Sequence, residues 1–159
     1  MTRDQIKDFT LRITEANSCS LIVILYDMIN TDIENAREAL AKGDHSVFRN
    51  ELAHACKCVN ELMRSLDYST SMSRDLGSLY TYLNRRLSYA AAGNHADALD
   101  IVTEVVNKLR KGFDEISATD PNGPMMKNAQ SVYAGLTYGK GFLNETYIDP
   151  RDYNRGFNA

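Results

Sequence analysis

The sequence predicts an all-α protein, an antiparallel up-down four-helix bundle with a short N-terminal helix and an irregular C-terminal tail. Three observations carry this expectation. Four long segments repeat apolar residues at steps of three and four, the connections between them are very short, and helix-breaking residues gather at 120–124.

The first long segment runs from about Ser18 to Lys42, with Ile22, Leu25, Ile29, Ile33, Ala36 and Leu40 on one face. Asn17 is placed to cap its free amides, and Gly43 to end it in a left-handed conformation. The second follows Asp44 to about Leu66, with Phe48, Leu52, Ala55, Val59, Leu62 and Leu66 as a heptad-like stripe. The third spans about Met72 to Ala92 and turns Met72, Leu76, Leu79, Leu83, Leu87 and Ala90 inward. Gly93 is expected to end it and Asn94 to cap the fourth, which buries Leu99, Val102, Val106, Leu109, Phe113 and Ile116. Such short links force sequence neighbours to lie antiparallel. Residues 2–15 carry Ile6, Phe9 and Ile13 and suit a short additional helix docked on one end.

These elements define a helical bundle domain over 1–119 and a Gly/Tyr-rich tail over 120–159. Asp120-Pro-Asn-Gly-Pro124 cannot continue a helix. Beyond it, Val132, Tyr133, Leu136, Tyr138, Phe142, Leu143 and Tyr147 are too apolar for a solvated linker. The segment from about Ala129 to Tyr147 is expected to fold back on the bundle, either over a binding face or elsewhere.

Composition narrows the function. Apolar residues make up 43% and charged residues 25%, an ordinary globular balance. A net charge of −3 argues against nucleic acid, which needs a concentrated basic surface. The longest apolar run, Leu21 to Tyr26, is too short to insert in a membrane, and the polar start predicts no signal peptide. Cys19, Cys56 and Cys58 form no framework spacing and fit reduced thiols in the cytoplasm.

Catalytic signatures are missing. A di-iron bundle needs two Glu-x-x-His motifs, and only Glu51 with His54 qualifies, a pair that otherwise reads as part of a surface helix. His54 and Cys58 stand one turn apart and could share an ion, but structural zinc wants four ligands. The glycines at 135, 139 and 141 neither follow a strand nor precede a helix, so no phosphate loop is expected. No cofactor or metal is expected, and no enzyme.

More informative is a second apolar stripe, Leu21, Ile24 and Met28, beside the inner face of the first segment, with Ile101 and Val105 doing the same on the fourth. A helix apolar on two faces is central in a larger core or offers one face to a partner. Either the N-terminal segment and tail cover these stripes, or they form a groove for an amphipathic helix of another protein. The stretch Leu79-Tyr-Thr-Tyr-Leu-Asn-Arg-Arg-Leu87 also suits a contact surface, since tyrosine and arginine are enriched in binding hot spots.

At these residues the chain resembles the flagellar secretion chaperone FliS family. Ala16-Asn17-Ser18 leads to Leu25-Tyr26-Asp27, as the family's Ala-Ser-Pro opening leads to Leu-Tyr-Asp, although Ser18 stands where the family has proline. Leu79 to Leu87 matches the family's third helix throughout, and the likeness runs from about Ile13 to Ser117. The resemblance implies a cytoplasmic, non-catalytic bundle that binds the C-terminal segment of flagellin, keeps it monomeric and passes it to the flagellar export apparatus. The candidate partner-binding residues are Leu21, Ile24, Tyr26, Asp27, Met28, Tyr80, Asn84, Arg85, Ile101 and Val105. The alternative is a bundle of the same fold with a different client, or one that self-associates as a homodimer.

Overall fold

A computed structural model describes residues 1–119, 121 and 123–125. Among these residues the chain is entirely helical: α1 (Arg3–Glu15), α2 (Ser18–Ala41), α3 (His45–Arg64), α4 (Ser71–Gly93) and α5 (Ala98–Ser117). The tail segment expected to fold back, 129–147, lies outside the described residues.

Helix ends follow from local chemistry. Thr2 and Gln5 form a reciprocal capping box at the start of α1, Asn17 accepts from the Ser20 amide at 2.7 Å, and Asp44 accepts from the amides of Ser46 and Val47. Gly43 takes φ of 76°, which lets the Asp44 amide donate to the Ala39 carbonyl and the Gly43 amide to that of Leu40.

The end of α4 differs from expectation. Gly93 stays helical, and Asn94 turns left-handed with φ of 56° rather than capping α5. Asparagine tolerates this conformation better than most residues. Gly93 is needed for another reason. The His95 ring, stacked on Tyr89 with centroids 4.6 Å apart, lies where a Cβ at position 93 would stand, so a side chain there would displace the stack.

Helices α2, α3, α4 and α5 close a ring in which each packs on its two neighbours and none packs across the diagonal. Side-chain pairs give the directions. Ser20 meets Ser117, Asn30 meets Asn107 and Arg37 meets Asp100, so α2 and α5 are antiparallel. Asp32 with His54 and Asn35 with Glu51 make α2 and α3 antiparallel too. The core holds Ile29, Ile33, Phe48, Leu52, Val59, Leu62, Leu83, Leu87, Leu99, Val102 and Val106, all fully or almost fully buried. Two residues expected inside are not. Met72 is 72% exposed because α4 overhangs the bundle end past the last turn of α3, and its first buried residue is Gly77. Ile116 is 53% exposed, in the last turn of α5 beyond the final core layer at Phe113.

Candidate functional site

Helix α1 lies against α2 alone. Its contacts with α2 run in opposite order, Arg12 with Asp27 and Gln5 with Asn35, so it folds back antiparallel along that helix. The reason is visible in the residue pattern. Phe9 and Ile13 stand one turn apart and present an apolar edge, and the second apolar stripe of α2 receives it. Phe9, Ala16 and Ile24 form a small buried cluster, with Met1, Ile13, Leu21 and Met28 packed around it. This satellite core is separate from the main one, and Met28 touches both.

Polar contacts fasten the edges of α1. Asp27 receives Arg12 from α1 and Arg110 from α5, so one carboxylate joins three helices. Burial alone would raise the Asp27 carboxyl, but hydrogen bonds from Arg110 and Arg12 outweigh it and hold the group below the usual carboxylate range. At the other end of α1, Gln5 exchanges hydrogen bonds with Asn35, and the N-terminal ammonium pairs with Glu51 on α3. The groove beside α1 is lined by Asp4, Asp8, Arg12, Asn30, Thr31 and Glu34, a polar rim around the covered apolar strip.

The remaining candidate residues fall in different places. Tyr26 and Tyr80 are interior, and their hydroxyls share a 2.5 Å hydrogen bond inside the main core, towards the end that Phe113 closes. Burial pushes both hydroxyls above the usual tyrosine range. Asn84 is half-buried and donates to Asn60 at 2.8 Å, tying α4 to α3, while Arg85 is exposed. Ile101 is 37% exposed, and Val105 packs partly against the core. These two lie on the flank of α5 turned away from Asp100, Asn107 and Arg110, which face α2. The structure therefore does not bring the α2 and α5 stripes onto one face.

The pair Glu51 and His54, expected on a surface helix, instead borders a polar cluster between α2 and α3. Among the described residues Asp32 is the one fully buried charged side chain, and its Oδ2 is 2.6 Å from His54 Nδ1. Cys58 Sγ lies 4.0 Å from the same nitrogen. Burial raises the Asp32 carboxyl above its usual range, against the opposing hydrogen bond from His54, and pushes the Cys58 thiol up to about 12. Burial also works to raise Glu51, but the N-terminal ammonium and Asn35 hold it low. The sequence signal for Asp32 is its register: three residues after Ile29 and four before Ala36, it sits within the inner stripe.

No helix among the described residues is long and apolar enough to cross a membrane. Residues 4–120 match the family model described as flagellar protein FliS. A flagellar secretion chaperone FliS from Salmonella typhimurium is 29% identical over 108 residues, covering 66% of this chain and 80% of that protein.

Proposed function

Because the chain belongs to the FliS family of flagellar proteins, we propose that it is a cytoplasmic, non-catalytic export chaperone. In this reading it holds the C-terminal segment of flagellin, prevents premature polymerisation and delivers flagellin to the flagellar export apparatus. A relative similar to it is named a flagellar secretion chaperone, and the family match takes in α2 to α5 and all of α1 but its first residue.

The observation that carries the reading is the apolar strip Leu21, Ile24 and Met28 on α2, covered by one short helix that packs on nothing else. An amphipathic helix laid in a groove recognises its site through apolar anchors spaced three, four and seven apart. Helix α1 occupies the strip in that manner, with Phe9 and Ile13 as anchors. A client helix of similar pattern would bury the same α2 residues in its place. Thirteen residues are too few for a stable isolated helix. Its docked state therefore depends on this contact, and a longer client segment has more apolar area with which to compete.

Asn84, Arg85 and Ile101 would then be outlying contacts, reached by a client long enough to leave the α1 strip. Tyr26 and Tyr80 would act by holding the bundle's shape. Calorimetric titration of the full chain with a flagellin C-terminal peptide tests the reading. One peptide per chain is expected, with binding abolished by Ile24→Asp in a variant whose circular dichroism is unchanged. Absence of binding by the unaltered chain overturns it.

A further inference from the structure

The cluster at Asp32, His54 and Cys58 has no part in the chaperone reading, yet its chemistry is specific. A buried carboxylate is costly unless its charge is compensated and both oxygens are bonded. Here His54 engages Oδ2, while Oδ1 is buried with no donor on it and the Glu51 carboxyl stands close enough to interact with the Asp32 carboxyl. His54 and Cys58 stand one turn apart on α3 and face Asp32 across the α2–α3 seam. The three donor atoms all lie within 4.8 Å of one another.

From this arrangement we propose that Asp32, His54 and Cys58 form a divalent transition-metal site of the zinc class, bridging α2 and α3. The donor set fits such an ion. Carboxylate oxygen, imidazole nitrogen and thiolate sulfur are all zinc ligands, whereas magnesium and calcium take oxygen alone. Charge fits as well. A carboxylate and a thiolate together neutralise a dication, and a neutral imidazole completes an uncharged unit suited to a buried position. Binding would send the Cys58 thiol proton to solvent, and the proton between His54 Nδ1 and Asp32 Oδ2 would move to His54 Nε2, leaving a neutral imidazole with Nδ1 free for the ion.

Geometry sets how far the groups would move. Tetrahedral zinc with bonds of about 2.0 Å to nitrogen and oxygen and 2.3 Å to sulfur separates N from O by about 3.3 Å and N from S by about 3.5 Å. The present separations are 2.6 Å and 4.0 Å. The carboxylate oxygen and the sulfur, within 4.8 Å of each other, would also close to about 3.5 Å, so the largest adjustment is at most about 1.3 Å, made by side-chain torsions. The His54 side chain is 40% exposed, so that edge of the cluster reaches solvent, and water would supply the fourth ligand. Glu51 is not needed there, since the N-terminal ammonium and Asn35 engage it. The sequence pattern of α3 alone offered two ligands, and the third comes from the pairing of α3 with α2.

The test is titration of chelator-treated full-length protein with Co²⁺, followed by absorbance. One equivalent should develop the visible bands of a tetrahedral site and a near-ultraviolet thiolate charge-transfer band, both erased by Zn²⁺ and untouched by Mg²⁺. Cys58→Ala should remove the charge-transfer band, and Cys56→Ala should leave it. His54→Gln and Asp32→Asn should each weaken binding by at least about tenfold, the lower bound for lost ligand support. His54 lies at the surface edge, so its variant keeps the experiment readable if Asp32→Asn fails to fold. Co²⁺ uptake that does not saturate at one equivalent overturns the proposal. So does a charge-transfer band that survives Cys58→Ala, or tight binding by folded His54→Gln.

Discussion

Replacing Tyr80 by phenylalanine should destabilise the bundle although it deletes a single oxygen. Tyr26 and Tyr80 are 0% and 1% exposed, and each hydroxyl has the other as its partner at 2.5 Å. The Tyr26 ring also packs against Phe113 with centroids 5.8 Å apart, which keeps it from turning to find water. Tyr80→Phe therefore leaves a buried hydroxyl unsatisfied, at a cost of roughly 1–3 kcal/mol. At about 2–4 °C per kcal/mol for a chain of this size, Tm should fall by several degrees. Tyr26→Phe should cost a similar amount by the same argument. The double variant replaces both partners with apolar groups of the same shape and should lie within about 1 kcal/mol of the unaltered chain. Urea unfolding of all four proteins, followed by circular dichroism, measures the cycle. A double variant destabilised by the sum of the two single changes would refute the reasoning, since the hydroxyls would then be acting independently.

Three further outcomes follow from the same geometry. Phe9→Ala removes the main anchor of α1, a change worth about 3–5 kcal/mol in a packed core. Because α1 packs on α2 alone, amide exchange across 3–15 should accelerate while the unfolding midpoint of α2–α5 stays nearly unchanged, and a uniform loss of protection would contradict this. The Asp27 carboxyl titrates below its unfolded value, so the unfolded chain binds the proton more readily. Its contribution is thus present at neutral pH and lost as pH falls from the usual carboxylate range through the lowered value. Stability measured against pH should show a shallower acid decline in Asp27→Asn, and an unchanged slope would sink the assignment. Placing a side chain at Gly93 displaces the His95 ring from Tyr89, so Gly93→Val should lower Tm, whereas Gly112→Ala, with open space around it, should not.

The helices were legible because their signals are local. Periodic apolar residues, Asn17 before α2 and Gly43 after it act within a few residues, and each works as the sequence predicts; Asp44 caps α3 by the same local chemistry. Asn94 shows where local reading stops. Its type suits an N-cap and a left-handed C-terminus equally, and the packing of His95 on Tyr89 over Gly93 selects the second. Tyr26 has a similar lesson. It sits four residues after Ile22 and three before Ile29, on the inner face, so its register pointed to the core even as its place in the Leu-Tyr-Asp motif pointed to a partner. The double stripe on α2 was visible, but what covers it depends on where residues 3–15 dock, a tertiary choice that periodicity does not encode. Asp32 with His54 and Cys58 was hidden for the same reason, since the cluster exists only once α2 and α3 are in register.

In the proposed function α1 and the client compete for one apolar strip on α2. Hydrogen exchange on the full chain, with and without a saturating flagellin C-terminal peptide, separates competition from binding elsewhere. Under competition, amides in 3–15 lose protection when the peptide binds, while those of α2 around Leu21, Ile24 and Met28 keep or gain it. Peptide binding that leaves α1 as protected as before, or protects it further, rules competition out.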